Sequence, residues 1–171
     1  MTISPQTPAT TVLWLISQSE GAIWLDGGWG VDALIGTQTR AHEDVDIVLE
    51  ERHAPLLVDC LRLAGFEDVP RDDTRPCNFV LGSSDRGLVD FHLVRFDPDG
   101  NGVYGIPKPE GVYPAEAFTG RGEVLGQPVR CMSAIYQMEN HSSGYALRAK
   151  DFADMQALAA ATGMPLPKHF R

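Results

Sequence analysis

The pattern of apolar and polar positions changes period several times along the chain. Between Thr11 and Ser19, apolar Val12, Leu15 and Ile16 recur at helical spacing with Pro8 near the start, which predicts an amphipathic helix. Ile23-Trp24-Leu25 is a short apolar run ending at Asp26-Gly27-Gly28, and predicts a buried strand followed by a tight turn. A short helix is expected from Trp29 to Ile35, stopped by Gly36. Val45 to Leu49 is β-branched and reads as a strand, and Ala54 to Ala64 reads as a helix closed by Gly65. Asn78 to Leu81 and Leu88 to Phe96 read as two strands joined across Gly82 to Gly87 in a hairpin-like connection.

Residues 97–128 change character, since twelve of the thirty-two are Gly or Pro. Such a stretch is either a functional loop over a site or irregular edge structure. Val124 to Val129 fits a small hairpin with Gly126 in its turn. A helical pattern runs from Ser133 to about His141, breaks at Ser142-Ser143-Gly144, and resumes from Ala149 to Ala161. Its apolar stripe there is Ala149, Phe152, Met155 and Leu158. The order α-β-α-β-α-β-β-loop-α-α predicts an α/β (α+β) fold. That fold is a mixed twisted sheet flanked by helices, comprising residues 1–130, with a short C-terminal helical subdomain over 131–171.

Length and composition narrow the field. The 171 residues suit one domain, and 43% hydrophobic with 22% charged residues is ordinary for a globular protein. Fourteen basic against twenty-three acidic residues give a net charge of −9, which argues against a broad basic face tracking many phosphates. Nucleic acid is therefore not the expected partner, and small cationic partners are mildly favoured. Cys60, Cys77 and Cys131 are odd in number and widely spaced, so neither a disulfide framework nor a zinc site is expected. The N-terminus lacks the basic-then-apolar pattern of a leader. The longest apolar run, Val12 to Ile16, is far short of the ~20 residues that span a bilayer. The expectation is a reduced, cytoplasmic protein with no membrane partner.

Candidate chemistry concentrates around two alternating strands. In Asp44-Val45-Asp46-Ile47-Val48-Leu49 both aspartates fall on one face, with Val45, Ile47 and Leu49 directed to a core. Two like charges side by side repel, and a divalent cation between them removes that cost. The bland alternative is a solvated face. Val89-Asp90-Phe91-His92-Leu93 repeats the pattern, with Asp90 and His92 on its polar face. If the two strands are neighbours, three carboxylates converge, which suits two metal ions clamping an in-line phosphoryl displacement. His92 is either part of that chemistry or the satisfied partner of a loop carbonyl.

Gly28-x-Gly30-x-x-Ala33 after an apolar strand matches a dinucleotide-binding fingerprint, with Glu50 about twenty residues on. Against it stand bulky Trp29 inside the fingerprint, a helix of about two turns, and no regular strand-helix alternation afterwards. No Gly-Lys-Ser/Thr follows, so this is not a Walker loop either. What remains is shared physics: backbone N–H groups at a glycine turn and helix N-terminus can hold a phosphate. Trp29 reads either as a core residue or as a packing surface for a base.

Strand, Gly-Gly, short helix, Asp-x-Asp and a later third Asp together resemble the polymerase-β-like nucleotidyltransferases. Gly27-Gly28-Trp29-Gly30-Val31-Asp32 with Gly36, Thr39-Arg40, His42 and Asp44-Val45-Asp46-Ile47 is more specific. It is similar to the small antibiotic nucleotidyltransferases, the aminoglycoside 2''-adenylyltransferases and lincosamide nucleotidyltransferases. Gly126-Gln-Pro-Val-Arg-Cys131 and the tail set Gly144-Tyr145, Arg148, Lys150-Asp151, Asp154 and Leu158 resemble that family's C-terminal part. The likeness runs from about residue 22 to 166.

The resemblance implies roles position by position. Asp44 and Asp46 would be magnesium ligands, and Asp90 the third carboxylate and general base, with two Mg2+ ions and ATP as co-substrate. Gly27 and Gly28 would approach the triphosphate, Arg40 and His42 would help hold nucleotide, and Lys150 would reach the phosphates. The alternative for the cations is surface pairing, since Lys150 and Asp154 stand at i, i+4. His92 occupies the position two residues after the third acid, where aminoglycoside relatives tend to carry another acid, and it is assigned with Tyr104 to the acceptor. The implied activity is transfer of a nucleoside monophosphate, AMP from ATP, to a hydroxyl of a small molecule such as an aminoglycoside or lincosamide. The rival readings are a toxin-type nucleotidyltransferase acting on a protein or tRNA, and a catalytically degenerate binding module.

Overall fold

The computed structural model describes residues 6–20, 22–71, 75–105, 111–140 and 147–171. Helix α1 (Ala9–Gln18) leads into β1 (Ile23–Asp26), α2 (Gly27–Ile35), β2 (Asp44–Glu50), α3 (Ala54–Leu63), β3 (Glu67–Val69), β4 (Asn78–Ser83) and β5 (Gly87–Phe96). Short strands β6 (Gly102–Tyr104) and β7 (Gly111–Tyr113) follow, then the hairpin β8 (Arg121–Val124) and β9 (Gln127–Arg130). The chain ends in α4 (Ala134–Asn140), α5 (Ala149–Thr162) and a short 3-10 turn. The break expected at 142–144, and Gly144-Tyr145 of the tail set, lie outside the described residues.

Among the described residues one mixed sheet runs β1-β2-β5-β4-β3, with β6 and β7 added beside β5. Strands β2 and β5 are parallel neighbours, the adjacency on which convergence of the acids depends, while β1 pairs β2 antiparallel. That antiparallel pair removes the dinucleotide-fold reading, whose βαβ unit needs parallel strands joined by a crossover.

Alternation along the strands divides the interior. Val45, Ile47, Leu49, Val89, Phe91 and Leu93 face a core shared with Val12 and Leu15 of α1 and Leu57 and Leu61 of α3. On the opposite face, Val48 and Val94 pack against Ala117, Phe118 and Met132. A third cluster joins Val31 of α2 to Met138 of α4 and to Met155, Leu158 and Phe170 at the C-terminus. Trp29 is buried to 2% exposure in the main core, beside the His42 ring, which settles it as a core residue and not a base platform.

Strands β3, β6 and β7 stand where the sequence pattern predicts no regular element. Each has three residues, too few to carry a period, and β6 and β7 lie in the Gly/Pro-rich stretch. The small hairpin forms as expected, with Leu125 and Gly126 both at positive φ. None of the helices among the described residues is long and apolar enough to cross a membrane.

Candidate active site

The site begins where β1 ends. Asp26 caps α2, its side chain accepting from the Gly27 N–H at 2.8 Å. Helix α2 therefore starts at Gly27, two residues earlier than the sequence pattern predicts. Gly27 sits at φ +54°, and a β-carbon there would collide with Asp46 Oδ2, so only glycine lets this backbone approach the strand's carboxylate. The buried Gln137 of α4 donates from Nε2 to Asp26 at 3.0 Å, tying the cap to the C-terminal helices.

Register then aligns the acids. Asp26 is opposite Asp46 in the β1–β2 ladder, and Asp46 is opposite Asp90 in the β2–β5 ladder, a row of three carboxylates across three strands. Asn78 on β4 donates to Asp90 Oδ1 at 2.7 Å and fixes its orientation. His92 Nε2 lies 3.6 Å from Asp46 Oδ1 and 3.7 Å from Asp90 Oδ1. Burial pushes the Asp90 carboxyl up to about 6, Asp46 adding to the rise and His92 opposing it. For His92 burial acts against the charged ring, but the hydrogen bond and charge of Asp46, with the charge of Asp90, outweigh it and raise the imidazole to about 9.

These residues fit a divalent cation. Asp46, Asp90 and His92 each offer a ligand atom, all within 4.8 Å of one another. Two hard carboxylate oxygens suit magnesium, which is usually held by one or two carboxylates plus substrate phosphates. Asp44, expected beside Asp46, stands apart from this group. It lines the same cleft, but its Oδ2 accepts from Arg71 Nη2 at 2.6 Å.

The cleft above has a volume of about 260 Å3. Asp26, Asp44, Asp46 and His92 line it together with Arg40, Arg148 and Lys150, and Gly27 stands against Asp46 while Gly28 stands against Arg40 and His42. His42 is brought here too, but it is almost wholly buried, with Nε2 2.5 Å from Asp32 Oδ2 and its ring against Trp29. Its Nδ1–Cε1 edge faces the bare Cα of Gly28. The i, i+4 pairing of Lys150 with Asp154 does not form: Asp154 takes Arg40 instead, at 2.6 Å. Lys150 makes no ion pair among the described residues.

The Gly/Pro-rich stretch reaches the rim through β6 and β7. Tyr113 lines the cleft. Tyr104 lies one layer out, its ring 6.3 Å from His92 and 6.2 Å from Tyr113, and Tyr136 stands 5.4 Å from Tyr113. Sequence reasoning missed Asp26, Arg71, Asn78, Tyr113, Gln137 and the role of Asp154. Only Asp26 carried a signal, as an acid between an apolar run and glycines, the mark of an N-cap.

A helix start laid against two carboxylates on adjacent parallel strands, under a mixed sheet, defines the nucleotidyltransferase fold. A lincosamide antibiotic adenylyltransferase, LnuA, solved with lincomycin bound, superposes at TM-score 0.78 with 28% identity, covering 92% of this chain and 99% of that one. The chain belongs to the aminoglycoside-2''-adenylyltransferase family, which its residues 9–158 match. A lincosamide resistance protein of Staphylococcus haemolyticus is 28% identical over 151 residues, 88% of this chain and 92% of that protein. A 2''-aminoglycoside nucleotidyltransferase of Escherichia coli is 29% identical over 112 residues, 65% of this chain and 58% of that protein.

Proposed function

We propose that the protein transfers AMP from ATP, with magnesium, to a hydroxyl group of a small lincosamide-like acceptor. The observation that carries this reading is the alignment of Asp46 with Asp90 directly beside the Gly27–Gly28 helix start. Asp46 and Asp90 would hold the metal, with Asp44 at the edge of the same cleft. When bound, magnesium supplies neutralisation of charge on the α-phosphoryl group and the leaving pyrophosphate.

The chain's own residues do the rest. Backbone N–H groups at the start of α2, with Arg40 and Lys150, face the triphosphate end. The acceptor oxygen attacks the α-phosphorus, the bond from that phosphorus to the bridging oxygen breaks, and pyrophosphate leaves. The hydroxyl proton passes to Asp90, which Asn78 orients beside Asp46. His92, with Nε2 3.6 Å from Asp46 Oδ1 and 3.7 Å from Asp90 Oδ1, stands beside the reacting group in a supporting role.

The acceptor side supports a compact, partly apolar molecule. Tyr113 lines the cleft with Tyr104 and Tyr136 packed beside it, backed by the buried Phe118 and by Phe96 and Trp24. The lincosamide side is favoured by the extent of the likeness, which covers 88% of this chain for the lincosamide resistance protein of Staphylococcus haemolyticus against 65% for the 2''-aminoglycoside nucleotidyltransferase of Escherichia coli. Incubation with ATP, magnesium and a panel of lincosamides and aminoglycosides, read by mass spectrometry, tests the proposal. One added AMP on a lincosamide is expected, and transfer to aminoglycosides alone would refute the acceptor assignment.

A further inference from the structure

One cation lining the cleft, Arg40, has its direction set by a distant element. Arg40 donates from Nε to Asp154 Oδ1 at 2.8 Å and from Nη2 to Asp154 Oδ2 at 2.6 Å, a two-point fork that fixes the guanidinium plane. A third N–H, on Nη1, goes to the Ala41 carbonyl at 3.1 Å. Of the five N–H groups of a guanidinium, one on each Nη is then left over. A β-carbon added at Gly28 would lie 2.6 Å from Arg40 Nη2, so this edge of the guanidinium stands over the bare Cα at the start of α2. The Asp154 side chain is 2% exposed and the Arg40 side chain 24%. Asp154 is anchored because the adjacent Met155, and Leu158 one turn on, pack against Val31 and Met138.

We propose that Asp154, on the C-terminal helix, is a positioning residue for the nucleotide: it aims Arg40 at a phosphate lying over Gly28. This rests on the nucleotidyltransferase reading and adds to it a residue 114 positions away from the arginine that it acts through. The carboxylate offsets part of the attraction between Arg40 and phosphate, but it removes the cost of ordering a rotamer-rich side chain from the binding step. Lysine at position 40 would keep the charge and lose the fork. Helix α5 thereby serves the nucleotide end twice, bringing Lys150 to the cleft directly and Asp154 to it through Arg40.

The test is a calorimetric double-mutant cycle on the full chain with magnesium, using ATP and inorganic tripolyphosphate as probes. Asp154→Asn is expected to weaken both about tenfold, the order of one charge-assisted contact, with acceptor KM unchanged. In an Arg40→Ala background the same change should do nothing further. Equal weakening in both backgrounds, or loss with ATP but not tripolyphosphate, overturns the proposal. Arg40→Lys leaves Asp154 in place and serves if Asp154→Asn fails to fold: about tenfold weakening is expected, and wild-type affinity overturns the proposal. A wild-type protein that binds no magnesium-ATP overturns the nucleotidyltransferase reading as well, whereas wild-type binding with unaffected variants overturns the positioning role alone.

Discussion

Asp46 and Asp90 stand opposite each other across the parallel β2–β5 ladder, with the His92 imidazole within 3.7 Å of both. Like charges so placed need a cation between them. In the metal-free protein the histidine supplies it, which is why its proton is held so firmly. On the proposed function, Asp90 is the base and His92 a supporting residue beside it.

Asp90→Asn is expected to lower kcat by about 10²-fold or more, the order of lost general-base catalysis, while His92→Ala keeps most of its kcat. Chemistry-limited turnover in the two variants, followed across pH, checks this. The reverse ranking would hand the base role to His92.

Stability of the metal-free protein should fall as pH rises. His92 is raised from 6.5 to about 9, so the folded state holds its proton more tightly than the unfolded chain. Its stabilising contribution is complete below pH 6.5 and lost as pH rises through about 9. Asp90, raised from 3.8 to about 6, acts with the same sign in a lower window. Thermal unfolding in chelator is expected to show Tm declining between pH 6.5 and 9, and His92→Gln should flatten that decline.

Asp46 and Asp90 were legible as acids of the site face because both sit in strands of period two, although the sequence paired Asp46 first with Asp44. The parallel pairing that aligns them was not, since register depends on tertiary packing. The same holds for Gln137 on Asp26, Arg71 on Asp44 and Asp154 on Arg40, contacts between residues 111, 27 and 114 positions apart. Local spacing pointed instead to Lys150 with Asp154, a contact that the planar fork of arginine displaces. Tyr113 was hidden in a Gly/Pro-rich stretch without period.

Gly27→Ala should cost about 1–2 kcal/mol of stability, because L residues are strained at positive φ. Activity is expected to fall much further than stability, since the new methyl also displaces Asp46. Chemical denaturation beside kcat measurement separates the two effects. Full activity in the destabilised variant would show that the close approach of Gly27 to Asp46 is not needed.

Tyr104→Ala is expected to raise acceptor KM and leave ATP affinity nearly untouched, since Tyr104 stands against His92 and Tyr113 and is not among the residues lining the cleft with Arg40 and Lys150. Steady-state kinetics with each substrate varied in turn decides it. Equal loss for both substrates would make the residue structural.

On the proposed function, Asp46 and Asp90 together bind the metal that brings in the nucleotide. Calorimetric titration of ATP, with and without magnesium, into the wild-type protein and the Asp46→Asn/Asp90→Asn double variant puts that pairing to the test. Removing both carboxylates also relieves their mutual repulsion, so the variant is expected to fold. Magnesium-dependent binding is expected in the wild type and none in the folded double variant. Unchanged magnesium-dependent affinity in that variant would contradict the assignment.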